Sequence, residues 1–140
     1  MGKRSLIVAA VVVALAAGSA GCSQTEVRSR ANATVSIDGK DQAKTADISC
    51  NQLQSSWLLD IGRDKSTAKA IVEVQGDKVI PQSVKINGIG GFTGSYWQGS
   101  DYSADGKLAN NTFTITGTAS GTKTGTSGTV TSTFKIVARC

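Results

Sequence analysis

Ala68-Lys69-Ala70-Ile71-Val72-Glu73-Val74-Gln75 sets the fold class. Ala68, Ala70, Val72 and Val74 fall on one phase; Lys69, Ile71, Glu73 and Gln75 fall on the other. Successive side chains of a strand point to opposite faces, so this alternation describes a strand with one face buried. The same period extends outward in both directions. Val35 and Ile37 show it, as do Trp57, Leu59 and Ile61, then Val84 and Ile86, then Phe113 and Ile115. Val130, Phe134, Ile136, Ala138 and Cys140 close the chain on one phase. Turn signals separate the runs at Asp38-Gly39, Gly76-Asp77, Asn87-Gly88 and Asp105-Gly106. Ten Thr lie within 112–133, a strand-favouring density, and Thr122 to Gly128 reads as a hairpin loop. No segment after Cys22 carries a strong 3.6-residue stripe; Asn51 to Leu58 is expected to form one helical turn. The lone Pro81 is expected at an edge or a strand start. The reading is all-β: an antiparallel sandwich or open barrel of about eight short strands, one domain over 34–140.

The first 22 residues read differently. Lys3 and Arg4 precede an unbroken apolar run, Leu6 to Ala17, and then Gly18-Ser19-Ala20-Gly21-Cys22. A basic start, a short apolar run and small residues at a cut describe a secretory signal. Twelve apolar residues are too few to span a bilayer as a helix. Ala20 and Gly21 before Cys22 resemble a bacterial lipobox, from which Ser19 departs where Leu is usual. The expected organisation is a lipoprotein signal peptide over 1–21, a lipidated tether over 22–33 and the β domain beyond. In a lipobox the Cys22 thiol takes a diacylglycerol and the freed amine takes a further acyl chain, such as palmitate; two or more chains anchor stably. The alternative is an ordinary secretory signal. Arg28 and Arg30 in the tether stand where anionic headgroups would lie. The expected location is therefore the extracytoplasmic face of the cell membrane.

With Cys22 lipidated, Cys50 and Cys140 remain, an even number in an exported chain. Export implies an oxidising compartment, and both thiols fall on apolar strand phases, so a disulfide is expected. The alternative is two buried free thiols.

Composition excludes much chemistry. The chain has 140 residues, a formal charge of +5 and no His, which removes His-based catalytic triads and His-ligated metal sites. After Cys22 only 40 of 118 residues are apolar, a lean core. Asp60 and Asp64, like Asp101 and Asp105, read as turn carboxylates rather than an acid–base pair or a calcium loop. Gly88-Ile89-Gly90-Gly91-Phe92-Thr93-Gly94 lacks the phosphate-loop spacing, and no helix pattern follows it. No basic helix or basic–aromatic stripe suggests nucleic acid. The expectation is a protein without enzyme activity, cofactor or metal. Tyr96, Trp97 and Tyr102 crowd three of seven aromatics into seven residues. With Trp57 and Phe92 they are the candidate ligand-binding rings. A carrier would need a cavity lined by Trp57, Leu59, Val72, Ile86, Phe92 and Phe113. An adhesin would instead display Tyr96, Trp97 and Tyr102.

Several stretches taken together resemble the mycobacterial 19 kDa lipoprotein antigen family. They are Gly21-Cys22 after the apolar run, Val35-Ser36-Ile37-Asp38-Gly39-Lys40-Asp41-Gln42 with a Cys soon after, and Pro81 to Ile86. Thr114-Ile115-Thr116-Gly117-Thr118-Ala119-Ser120-Gly121 and the closing strand Phe134 to Cys140 complete the match. The resemblance implies a cell-surface lipoprotein antigen held by acylated Cys22, with Cys50 and Cys140 as the family's cysteine pair. It implies recognition by host Toll-like receptor 2 through the acylated Cys, and a role in transport of a hydrophobic ligand, lipid or glycolipid. The tether departs from the family: it is short and Thr-poor, with Ser23, Thr25 and Ser29 its hydroxyl-bearing residues.

Overall fold

The computed structural model describes residues 31–140, so the signal segment, Cys22 and most of the tether lie outside the described residues. Among the described residues ten strands form: β1 (Asn32–Ile37), β2 (Lys40–Thr45), β3 (Ile48–Leu53), β4 (Ser56–Arg63), β5 (Ser66–Gln75), β6 (Lys78–Ile89), β7 (Phe92–Trp97), β8 (Ala104–Ala109), β9 (Thr112–Lys123) and β10 (Val130–Arg139). All pair antiparallel in one sheet, ordered β2-β1-β10-β9-β7-β6-β5-β4-β3, with β8 between β6 and β9. The sheet curls into a small barrel core with additional strands. The all-β antiparallel class is as expected; the strand number is ten rather than about eight.

The alternating runs bury the residues their phase dictates. Ala68, Ala70 and Val72 are fully buried on β5, and Phe134, Ile136 and Ala138 are buried on β10. Leu59, Ile61, Val84, Ile86, Phe113 and Ile115 join them in one core. Removing this apolar surface from water is the main stabilising term, at about 25 cal/mol per Å².

β7 and β8 share one lane. Both run antiparallel to β6 and to β9, end to end between them. Ser95 opposes Ser120 and Ala104 opposes Gly117, so nine steps along the lane match three on β9. The surplus is the excursion 98–103. It opens on a tight turn: Ser100 N–H donates to Trp97 C=O (3.1 Å), and Gly99 takes φ +90. That positive φ at the third turn position suits glycine.

This break explains Pro81. It is buried inside β6, not at an edge or strand start. β7 pairs with β6 from Ser83 onward and β8 at Lys78 and Val79, so Pro81 faces the gap between them. On its other side it opposes Val72 at a register shift. A residue without an N–H is tolerated at such irregularities.

Other expectations need correction. Asn51 to Leu58 is the β3–β4 hairpin, not a helical turn, with Gln54 at φ 57 in the bend. Asn87-Gly88 lies within β6 and Asp105-Gly106 within β8; the intervening turn is at Gly90-Gly91. Gly106 is a packing glycine, since a Cβ there would meet Val79 Cγ1 at 2.6 Å. β1 takes in Asn32 and Ala33, ahead of the expected start at Thr34.

Candidate functional site

Cys22 lies outside the described residues. Cys50 and Cys140 are bonded, with Cα atoms 6.0 Å apart and 90 positions between them in sequence. They do not both point into the interior. Cys50 is half-buried against the core, whereas Cys140 follows the end of β10 and is exposed. The bridge therefore sits at the rim, joining the outermost strand β3 to the chain beyond β10. Cys140 N–H donates to Asn111 C=O (2.9 Å), which ties the same end to the β8–β9 turn.

Beside the bridge lies a cleft of about 350 Å³ lined by Cys50, Trp57, Leu108, Asn111, Phe113 and Cys140. Trp57 and Phe113 form its aromatic wall, ring centroids 5.3 Å apart and planes tilted by 58°. Such a tilted pair adds roughly 0.5–1.5 kcal/mol beyond burial. β4 positions Trp57 opposite Val72, two residues before the same phase becomes fully buried at Leu59. The tether enters nearby, because Asn32 opposes Arg139, the neighbour of Cys140.

The remaining candidate rings divide. Phe92 is wholly buried and Tyr96 nearly so; both are core residues and present no surface to a ligand. Trp97 is 57% exposed just before the excursion 98–103, and Tyr102 is 36% exposed within it. The carrier cavity expected among Leu59, Val72, Ile86, Phe92 and Phe113 is replaced by core packing, since each is 0–1% exposed. Of that set Trp57, half-buried, and the edge of Phe113 reach the rim cleft.

The acidic pairs separate. Asp60 meets Lys69 at 3.6 Å across β4 and β5, and Asp64 occupies a turn at φ 56. Asp38, in the β1–β2 turn, has a structural role. Its carboxylate accepts from Thr133 N–H (3.1 Å), the Ser132 hydroxyl (3.1 Å) and Lys123 Nζ (3.3 Å). Desolvation pushes the Asp38 carboxyl up, but these three donors outweigh it and hold it below its ordinary value. Ser132, buried on the core phase of β10, is thereby satisfied. Among the described residues no three His, Cys, Asp or Glu side chains converge as metal ligands.

Comparison with known proteins follows the same lines. The sequence model described as Mycobacterium 19 kDa lipoprotein antigen matches residues 26–140. The chain is 39% identical to a probable lipoprotein LppE of Mycobacterium tuberculosis, with 100% of both chains covered. It is 39% identical to a putative lipoprotein of Mycobacterium avium subsp. hominissuis, covering 97% of that protein, and 37% identical to one of Mycobacterium indicus pranii.

Proposed function

The chain belongs to the Mycobacterium 19 kDa lipoprotein antigen family, and on that premise we propose that it is a non-enzymatic envelope lipoprotein held on the extracytoplasmic face of the cell membrane by acylated Cys22. The observation that carries this is the placement of Ser19-Ala20-Gly21-Cys22: it closes the basic–apolar leader and stands ten positions before β1 begins at Asn32. A diacylglyceryl group passes from a phospholipid to Cys22 Sγ, forming a thioether as its C–O bond to the phosphorylated headgroup breaks; hydrolysis of the Gly21–Cys22 peptide bond frees the amine; and an acyl chain passes from a second phospholipid ester to that amine, leaving a lysophospholipid. Ten residue steps reach at most about 35 Å, so the β domain stays near the bilayer. The acylated N-terminus is also the group that host Toll-like receptor 2 would read. Two features support the non-enzymatic part: the sequence has no His, and Asp38, Asp47 and Asp60 are held in ion pairs with Lys123, Arg63 and Lys69.

A hydrophobic ligand belongs, in this reading, to the rim cleft of Trp57, Leu108, Phe113 and the disulfide rather than to the packed core. The cleft is small, apolar on one wall and close to the tether entry, a geometry that suits one hydrocarbon chain of a lipid or glycolipid. Fractionation tests the anchor. Wild-type protein should pellet with membranes, and Cys22→Ser should be released to the soluble fraction. A Cys22→Ser protein that stays membrane-bound overturns the proposal.

A further inference from the structure

We propose that the outer face of β2-β1-β10-β9-β8 carries a binding groove for a neutral carbohydrate. Cross-strand register aligns one row across five strands. Asp41 opposes Ser36, Ser36 opposes Lys135, Lys135 opposes Thr116, and Thr116 opposes Asp105. Directly opposed residues share a face, and four strand spacings span about 19 Å. The row lies in an open groove of about 570 Å³.

The groove's wall is built deliberately into the lane break. Ser103, which ends the excursion, and Ala104, which opens β8, stand against β9 because Gly117 has no side chain. A Cβ at 117 would meet Ala104 Cβ and the Ser103 carbonyl oxygen at 2.7 Å. Thr118 N–H donates to that Ser103 carbonyl (3.1 Å), which fixes the wall. Tyr102, 36% exposed, is the next residue back along the excursion and does not line the groove.

The chemistry of the row selects the ligand class. Carboxylates stand at both ends, an ammonium at the centre and hydroxyls between. Lys135 and Asp105 make no ion pair or hydrogen bond with another side chain among the described residues; the ion pairs there are Arg63–Asp47, Lys69–Asp60 and Lys123–Asp38. Asp41 accepts from the Ser36 hydroxyl, which orients it and leaves its second oxygen open. A sugar hydroxyl both donates and accepts, so one polyol can donate to Asp41 and Asp105 while accepting from Lys135. Two carboxylates against one ammonium disfavour phosphate and other anions. The backbone of Ser103, Ala104 and Gly117 lines the groove beside the row, while the Ala104 side chain packs against the core. The surrounding hydroxyls of Thr118 and Thr133, also in the groove, extend the same surface.

The test uses the full-length protein in a zwitterionic, sugar-free detergent. It is titrated calorimetrically with neutral trisaccharides of glucose, mannose, galactose and arabinose, and separately with a tetralysine peptide. At least one trisaccharide should bind with Kd of about 1 mM or tighter. Lys135→Ala and Asp105→Asn should each weaken it about tenfold, the loss of one hydrogen bond to a charged group. Lys85→Ala, exposed on β6 opposite Lys69, should leave it unchanged. Circular dichroism confirms that these surface variants fold. Binding of tetralysine alone, binding of no trisaccharide, or affinity indifferent to both groove substitutions overturns the proposal.

Discussion

Reducing the Cys50–Cys140 bridge removes a constraint on 90 residues of unfolded chain. In the chain-entropy treatment a loop of that length loses about 15.5 cal/mol/K, or about 4.6 kcal/mol at 25 °C. A small domain has only about 5–15 kcal/mol in total, so the loss takes a large share. The position of the bridge adds a local consequence. β3 pairs with β4 on one side only, and the bridge is what joins it to the end of β10. The assay is urea unfolding of oxidised and reduced protein at one pH, with Trp57 fluorescence followed in a Trp97→Phe background. With an m-value of about 1.5 kcal/mol/M the midpoint should fall by roughly 3 M. The double substitution Cys50→Ala and Cys140→Ala should reproduce it. A midpoint shift below about 0.5 M in both forms would refute the claim that the bridge takes a large share of this lean domain's net stability.

The remaining predictions concern single residues. Phe113→Ala should destabilise by about 3–5 kcal/mol, because a fully buried ring leaves a cavity, while exposed Trp97→Ala should change unfolding by under about 0.5 kcal/mol. Asp38 is more acidic in the folded state than in the unfolded one. Its stabilisation is therefore present above about pH 4 and lost as pH falls through the lowered folded-state value. Asp38→Asn should flatten that acid limb, read as unfolding midpoint against pH. Gly117→Ala should cost about 1–3 kcal/mol in urea unfolding, since its Cβ would meet Ala104 and the Ser103 carbonyl.

What could be read in advance follows from burial. β5 and β10 each have one core face and one wet face, so their alternation was plain in Ala68–Gln75 and Val130–Ala138. β2, Lys40–Thr45, is an edge strand with its side chains exposed or half-buried, and its sequence KDQAKT carries no apolar phase. β3 failed for the same reason beyond Cys50, where Asn51, Gln52 and Leu53 are all exposed. Glycine misled at Gly88 and Gly106. Gly88 bends a continuing strand at φ 63, and Gly106 makes room for Val79. For the candidate site, the cysteine count pointed to the bridge, and strand alternation alone separates buried Tyr96 from exposed Trp97. The polar row from Asp41 to Asp105 was beyond reach, because it exists only through register across five strands. The cleft at Trp57 likewise depends on β3 meeting the end of β10, a contact made far apart in sequence.

Intact-mass spectrometry of the protein extracted from a mycobacterial envelope tests the anchor most directly. The expected mass is that of a chain beginning at Cys22, heavier than residues 22–140 by a diacylglyceryl group and an amide-linked acyl chain, and lighter by two hydrogens for the bridge. A mass equal to an unmodified chain, or one that begins beyond Cys22, would contradict it.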